Sequence, residues 1–428
     1  MTAAETTKKT GMLRVTLASL FGTTLEFYDH FLYGSAAAII FPAVFFVNMS
    51  PMVALLLSLV TYSVAFLARP LGAIIFGHFG DRIGRKNVLI VALLIMGCST
   101  FCIGCLPSYE AGGSFGAVAL CFLRLFQGIA LGGEWGGAAL IVSEYAGKSK
   151  LKSFFGSIVQ LAAPIGFLLA SGLFAIISDI GSNEFLMTWG WRIPFWLSAL
   201  LVLVGLYMRS SIQESPEFLA AAAEEQARGE KPTPLLEVLR HHLKPVLLAI
   251  GTRIGSDAAF YVFALFPMVY LPMIGVTTDV AFLVGVFSSL GQIVGTPLFG
   301  KLCDHWGTRR VLILGAVVNL GFGFAYFAFL NTGSTPIIML GAFLSLFCLS
   351  ILWAPLASHL PAMFPVEVRY TATSIGFQAA GIFGGALAPT ICLLLLESTG
   401  SGLSVATYLA AVLLLALFCT IKTKTGRK

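Results

Sequence analysis

GHFGDRIGRKNVLIV, residues 77–91, and GKLCDHWGTRRVLIL, residues 300–314, align without a gap at an offset of 223 positions. Gly77 matches Gly300, Asp81 matches Asp304, Gly84 matches Gly307 and Lys86 matches Arg309; at the same offset Glu144 falls on Glu367. A polar loop that recurs with its acid and its glycines in place means that the chain is built twice over. The surroundings of each copy then decide the architecture.

Both copies stand between long apolar runs. Of the 428 residues, 57% are hydrophobic and only 11% charged, with a mean hydropathy of +0.91. A soluble domain cannot cover that much apolar surface, so the natural solvent is a bilayer. Runs able to cross about 30 Å of hydrocarbon fall at 15–46, 52–76, 87–106, 114–143, 153–178, 191–209, 245–271, 279–300, 310–330, 336–364, 371–396 and 403–421. The first is longer than one crossing needs. The expectation is an all-α membrane protein of twelve transmembrane helices: a six-helix half, 1–209, a cytosolic linker, 210–244, and a second six-helix half, 245–428. Within the linker, ESPEFLAAAAEEQAR (214–228) favours a short helix. Parallel duplication of this kind suits a transporter whose site lies at mid-membrane between the repeats.

Basic residues set the orientation. If the amino terminus is cytoplasmic, the inner segments hold 22 of the 26 lysines and arginines, and both termini are inside. Of the other four, Arg69, Arg124 and Arg253 lie within spans and Arg192 borders an outer loop, where it is expected to anchor the interface. The net charge of +6 reflects this asymmetry and points to no nucleic acid. The first eleven residues are polar and the first span is too long and too charged for a signal core, so no cleaved signal is expected. The eight cysteines lie in or beside spans, against a disulfide framework. Cys98, Cys102 and Cys105 share a helical face without a fourth polar ligand, so no metal site is expected there.

Charges inside spans are the informative minority, because each costs about 2.5–3.5 kcal/mol to insert. In LEFYDHFLYG (25–34), Glu26, Asp29, His30 and Tyr33 form one stripe at i, i+3, i+4 and i+7. Arg124 and Gln127 share a face of the fourth span, followed by a glycine-rich stretch that carries Glu134 and Trp135. Arg253, Asp257 and Tyr261 stack at i, i+4 and i+8 on the seventh span. Arg69, about two turns from the inner end of its span, is placed to snorkel. Asp29 and Glu26 either hold a transported proton or neutralise arginines, and His30 either relays protons or is a satisfied core histidine.

These residues carry a resemblance. GHFGDRIGRK resembles the signature loop of the major facilitator superfamily, and GKLCDHWGTRR its degenerate second copy. More narrowly, EFYDHFLYG, ARPLGAIIFGHFGDRIGRK, RLFQGIALGGEWGGAAL, WGWRIPF, ESPEFL and FPVEVRYTA resemble the metabolite:proton symporters, which carry dicarboxylates, shikimate, citrate or zwitterionic osmolytes. The resemblance implies a major facilitator fold and proton-coupled uptake of a small metabolite in the bacterial inner membrane. It also implies a cytoplasmic gate. Asp81 with Arg82, Arg85, Lys86 and Glu144, and Asp304 with Arg309, Arg310, Glu367 and Arg369, would hold the two halves together when the inner side is closed. In that picture Asp81 faces the helix starting near Thr371, and Asp304 the helix near Ser153. Asp29 and Arg124 match the proton-coupling pair of the sugar-porter branch.

The substrate class follows from charge. Arg124 and Arg253, facing a central cavity from opposite halves, suit a carboxylate, each able to bind it bidentately. Tyr33, Gln127, Trp135, Gln160, Trp353, His359 and Gln378 form a pool of further contacts, and Asp257 or Glu134 would meet the cation of a zwitterion. Only residues 422–428 follow the last span, too few for the coiled-coil tail of osmosensory members. Efflux is disfavoured because LAAPIGFLLASG departs from the glycine-proline pattern of antiporters. AGKS (146–149) lacks the glycine and the strand of a nucleotide loop, so ATP is not expected to drive transport. A channel would not need duplicated gate loops, and no nucleophile, metal or cofactor constellation suggests an enzyme. The expected partners are protons, a small metabolite and lipid, with the chain acting as a monomer and no cofactor beyond the coupling proton.

Overall fold

The computed structural model describes residues 3–83, 85–132, 151–210, 234–365 and 368–423. Among them run twelve long helices: α1 (Ala3–Ile39), α2 (Pro51–Ile83), α3 (Arg85–Gly104), α4 (Phe115–Gly132), α5 (Lys152–Ile180), α6 (Leu186–Tyr207), α7 (Leu243–Met273), α8 (Thr278–Trp306), α9 (Thr308–Leu330), α10 (Thr335–His359), α11 (Thr371–Thr399) and α12 (Gly402–Lys422). Ten of these are long and apolar enough to cross a membrane. The apolar part of α3 is shorter, Ile90–Gly104, and the apolar run of α1, though not its helix, is interrupted by Glu26, Asp29 and His30.

Boundaries shift from the sequence reading where local chemistry intervenes. The long first run breaks after Ile39, and a separate short helix, Phe41–Phe45, starts with Pro42 near its N-terminus, where a missing N–H is tolerated. The run expected to reach 364 stops at His359, and a single tight turn, Pro361–Met363, follows. Between α8 and α9 the chain turns at Gly307 with φ of 85°, a conformation that favours glycine. The helix expected at 214–228 lies outside the described residues. Another linker helix, Pro234–His241, buries Val238 beside the start of α11.

Packing repeats along with the sequence. α2 packs on α4, α3 on α6 and α1 on α5; six helices later α8 packs on α10, α9 on α12 and α7 on α11. Glycines make these crossings close. A Cβ at Gly128 would lie 2.3 Å from the Ala65 carbonyl oxygen, and one at Gly132 would lie 2.0 Å from that of Arg69, so only glycine lets α4 approach α2. Gly291 plays the same part on α8, where a Cβ would meet the Phe343 carbonyl oxygen at 2.0 Å. Two π-helical turns, Tyr261–Leu265 in α7 and Gly381–Ala386 in α11, fall where those helices line the centre; the first packs on the later part of α11, and the second on the early part of α7 and on α2. Such turns commonly mark functional sites.

Candidate functional site

The close α2–α4 crossing brings Arg69 and Arg124 to the same imidazole. Arg124 Nη2 lies 3.2 Å from His30 Nδ1, and Arg69 Nη2 lies 3.5 Å from it. On the other side of the ring, Nε2 lies 2.8 Å from the Tyr62 hydroxyl and 3.1 Å from that of Tyr261, and Tyr62 donates to Tyr261 at 2.9 Å. A guanidinium has donors but no acceptor, so Nδ1 presents its lone pair and Nε2 carries the hydrogen. His30 is thereby the junction of α1, α2, α4 and α7.

Arg124 is wholly buried. It donates to His30, to Gln127 Oε1 at 3.0 Å and to the Tyr62 carbonyl at 3.4 Å, and its guanidinium lies over the Tyr33 ring at 4.2 Å. Gln127 is held in turn by donating to Thr100 at 2.7 Å, and Tyr33 by donating to Thr61 at 2.7 Å. None of these hydrogen-bond acceptors on Arg124 is a carboxylate. Asp29, expected to pair with it, sits nearby among Thr100, Glu26 and Arg124, with its Oδ1 buried and without a hydrogen-bond partner.

A central cavity opens on the other face of this junction. Its walls include Thr23, Glu26 and His30 of α1, Arg69 of α2, Ala163 of α5, Arg253, Asp257 and Tyr261 of α7, Gln292 of α8, Trp353 of α10, and Phe377 and Gln378 of α11. Arg253 and Asp257 form an ion pair at 3.0 Å, and Arg253 also donates to the Phe377 carbonyl. Between α1, α5 and α7, Phe31 stacks on Phe260 at 5.0 Å and Phe167 meets both edge-on at 5.1 and 5.7 Å, and Phe31 and Phe260 line the cavity. Among the described residues the buried acids and arginines number three and three: Glu26, Asp29 and Asp257 against Arg69, Arg124 and Arg253.

Several expected contacts therefore lie elsewhere. Arg124, Tyr33, Gln127 and Asp29 sit behind His30 and do not line the cavity, because the α2–α4 crossing turns them into the first six-helix bundle. Gln160 is occupied: its amide donates to the Trp353 carbonyl at 3.2 Å, while Trp353 Nε1 donates to the Gln160 carbonyl at 3.0 Å. His359 is far along α10, bound to Thr308 at 3.0 Å and Thr423 at 3.2 Å, where it ties the end of α12 to the start of α9. Arg253, Asp257, Glu26, Trp353 and Gln378 do line the cavity. Glu134 and Trp135 lie outside the described residues. Arg69, read as snorkelling, is buried on the cavity wall instead, and Gln292 was missed, although Ser288, Gln292 and Thr296 form a polar stripe at i, i+4 and i+8. No group of three metal-ligating side chains occurs among the described residues. Cys98 and Cys102 on α3, and Cys105 just beyond its end, are free and exposed.

At the end of the bundle that carries the repeated loops, Asp304 caps α5. Its carboxylate accepts from the Ser153 N–H at 2.8 Å and the Phe154 N–H at 3.0 Å, satisfying donors that a helix start leaves open. Arg309 does not reach across to the other half; it donates to the Thr420 and Ile421 carbonyls at the end of α12, as a cation at a helix C-terminus does. Arg369 bonds locally to the Phe364 carbonyl at 3.2 Å, and Arg310 is exposed. The side chains of Asp81, Arg82, Arg85 and Lys86, together with Glu144 and Glu367, lie outside what the structure describes. Away from that end, Arg192 donates to the Gly104 and Leu106 carbonyls at 2.8 and 2.6 Å and closes α3.

Known proteins share this architecture and sequence. Residues 15–233 match the family described as Sugar (and other) transporter, and residues 258–425 match the Major Facilitator Superfamily. The chain is 39% identical to the inner membrane metabolite transport protein YhjE of Escherichia coli (strain K12), over 97% of this chain and 94% of that protein. It is 36% identical to the shikimate transporter of the same organism, over 97% and 95%. Identity to the proline/betaine transporter of Salmonella typhimurium is 32%, over 97% of this chain and 84% of that one. In fold it is similar to the crystal structure of a D-xylose-proton symporter, with a TM-score of 0.73 over 96% and 99% of the two chains at 22% identity. With relatives of this identity along nearly its whole length, the chain belongs to the major facilitator superfamily and is a membrane transporter rather than an enzyme.

Proposed function

We propose that this protein takes up a small carboxylate-bearing metabolite together with a proton by alternating access, as a monomer in the bacterial inner membrane with both termini cytoplasmic. The observation that carries the reading is the balance, among the described residues, of three buried acids against three buried arginines at the centre. A proton added to Glu26 or Asp29 leaves one positive charge in surplus, and a bound carboxylate restores the balance. Proton and anion then favour each other's binding, and that coupling is reciprocal. Arg69 and Arg253 on the cavity wall are the anion's partners, while Arg124 fixes His30 from behind. The halves 1–209 and 245–428, joined by 210–244, rock about this site, with the Asp304 cap made on one closed side and released on opening.

A zwitterion is the second reading. The Arg253–Asp257 pair offers both signs within 3.0 Å, and proline/betaine transporters are among the relatives. The deciding experiment uses purified protein in vesicles with an acidic exterior, given labelled organic acids and glycine betaine in turn. The proposal expects concentrative uptake of an acid that a protonophore abolishes. Uptake indifferent to the pH gradient, or confined to glycine betaine, would sink it.

A further inference from the structure

Two side-chain amides face the central cavity with polar atoms that the fold leaves unused. Gln292 of α8 is 0% exposed and lines the cavity, yet neither its Oε1 nor its Nε2 has a hydrogen-bond partner. Gln378 of α11 donates to the Gly132 carbonyl at 3.3 Å, but its Oε1 is also without a partner. Buried amides nearly always find partners, so a pair of incomplete ones on a cavity wall needs a reason. The other polar groups beside Gln292 are accounted for. Ser288 and Ser289 turn their hydroxyls back to the carbonyls of Val284 and Gly285, and Thr296 donates to Ser350.

We infer that Gln292 and Gln378 bind a hydroxyl group of the solute, so that the substrate is a hydroxylated carboxylate. The two free amide oxygens need donors, and Gln292 Nε2 needs an acceptor. A hydroxyl supplies one donor and two acceptor lone pairs, and so can serve both atom types. A carboxylate has no donor, and a quaternary ammonium has neither donor nor acceptor. An N–H ammonium would serve the oxygens alone, and Glu26 and Asp257 on the same walls would draw it away by charge. A solute without a hydroxyl leaves these buried polar atoms unpaired and so binds less tightly. The inference rests on the proposal that this cavity binds an organic acid, and it narrows which acid.

The test is titration of the purified full chain, reading apparent Kd from ligand-induced shifts in thermal unfolding. The probes are matched pairs: shikimate with cyclohex-1-ene-carboxylate, gluconate with hexanoate and 3-hydroxybutyrate with butyrate, beside glycine betaine and proline. The expected result is a hydroxylated member bound at least about tenfold more tightly than its deoxy partner, as expected when buried polar groups are left unpaired. In Gln292→Met, and in Gln292→Leu as a second variant, that ratio falls to about twofold or less. Both variants unfold no lower than the native protein, because the amide has no internal partner to lose. Carboxylates that bind without preferring a hydroxyl overturn this inference and leave the organic-acid reading standing. So does a ratio that persists in both variants. Tightest binding of glycine betaine or proline, or no carboxylate binding at all, overturns both.

Discussion

Arg124 Nη2 donates to His30 Nδ1 across 3.2 Å, so the guanidinium and the imidazole hold one another in fixed protonation states. An arginine cannot accept, and Nδ1 cannot take a proton while two guanidiniums face it. His30 is thus neutral in this conformation and acts as a post to which two buried cations are tied. On the proposed reading, a proton bound within the first span therefore belongs on a carboxylate, Glu26 or Asp29.

Replacing the post should loosen the centre. His30→Phe keeps much of the volume but removes the acceptor from Arg124 and Arg69 and the partner from Tyr62 and Tyr261. A hydrogen bond to a charged group contributes about 1.5–3 kcal/mol, and stability should fall by at least that much. His30→Asn, which restores one acceptor, should recover part of the loss. Chemical unfolding of the detergent-purified variants gives the comparison; equal stability of His30→Phe and wild type would contradict it.

Asp29→Asn imitates the protonated acid permanently. The variant should still exchange substrate across the membrane, since a loaded and neutralised site can reorient. It should not accumulate substrate against a gradient, because it releases no proton. Glu26→Gln, one turn away on the cavity wall, is the partner experiment. Counterflow and gradient-driven uptake in reconstituted vesicles separate the two. Full accumulation by Asp29→Asn moves the coupling proton to Glu26 or Asp257.

Arg253 and Asp257 should behave as a unit. Removing one member of a buried pair leaves an uncompensated charge, at a cost of about 3–5 kcal/mol. Arg253→Gln and Asp257→Asn should each lower the unfolding midpoint, and the double variant should regain most of the loss. Transport should not return with it, because the cavity then lacks the arginine proposed to meet the carboxylate. A double variant no more stable than the singles would show that the pair does not act this way.

Asp304→Ala removes acceptors from the Ser153 and Phe154 N–H groups. Loss of a helix cap costs about 0.5–2 kcal/mol. Because the cap joins α8 to α5, the same change should favour opening of that end of the bundle. A cysteine placed at Ser157, which packs against Gly300, should react faster with a water-soluble maleimide in the Asp304→Ala background. An unchanged labelling rate would mean that the contact does not hold that end shut.

Much of this was legible in the sequence because membrane helices are written one at a time. The span expected at 279–300 begins within one residue of the observed Thr278, and the Arg253, Asp257, Tyr261 stripe lies on one face as i, i+4 spacing requires. What the sequence did not yield depends on how helices meet. Arg69 looked close enough to a helix end to snorkel, but its environment is set by Gly128 and Gly132 on another helix. Arg124 looked like a cavity residue for the same reason, since periodicity gives a face and not the neighbour that covers it. Gln292 was overlooked because a single amide in a serine- and glycine-rich helix carries no sign of which of its neighbours will leave it unpartnered.

The three-to-three balance of buried charge has an electrical consequence. Moving one elementary charge through the full membrane potential is worth about 2.3 kcal/mol per 100 mV. With all six groups ionised, the centre carries no net charge among the described residues. For these six groups, reorientation of the empty site then moves no net charge through the voltage, and the voltage sensitivity they give the proposed cycle enters only with its cargo.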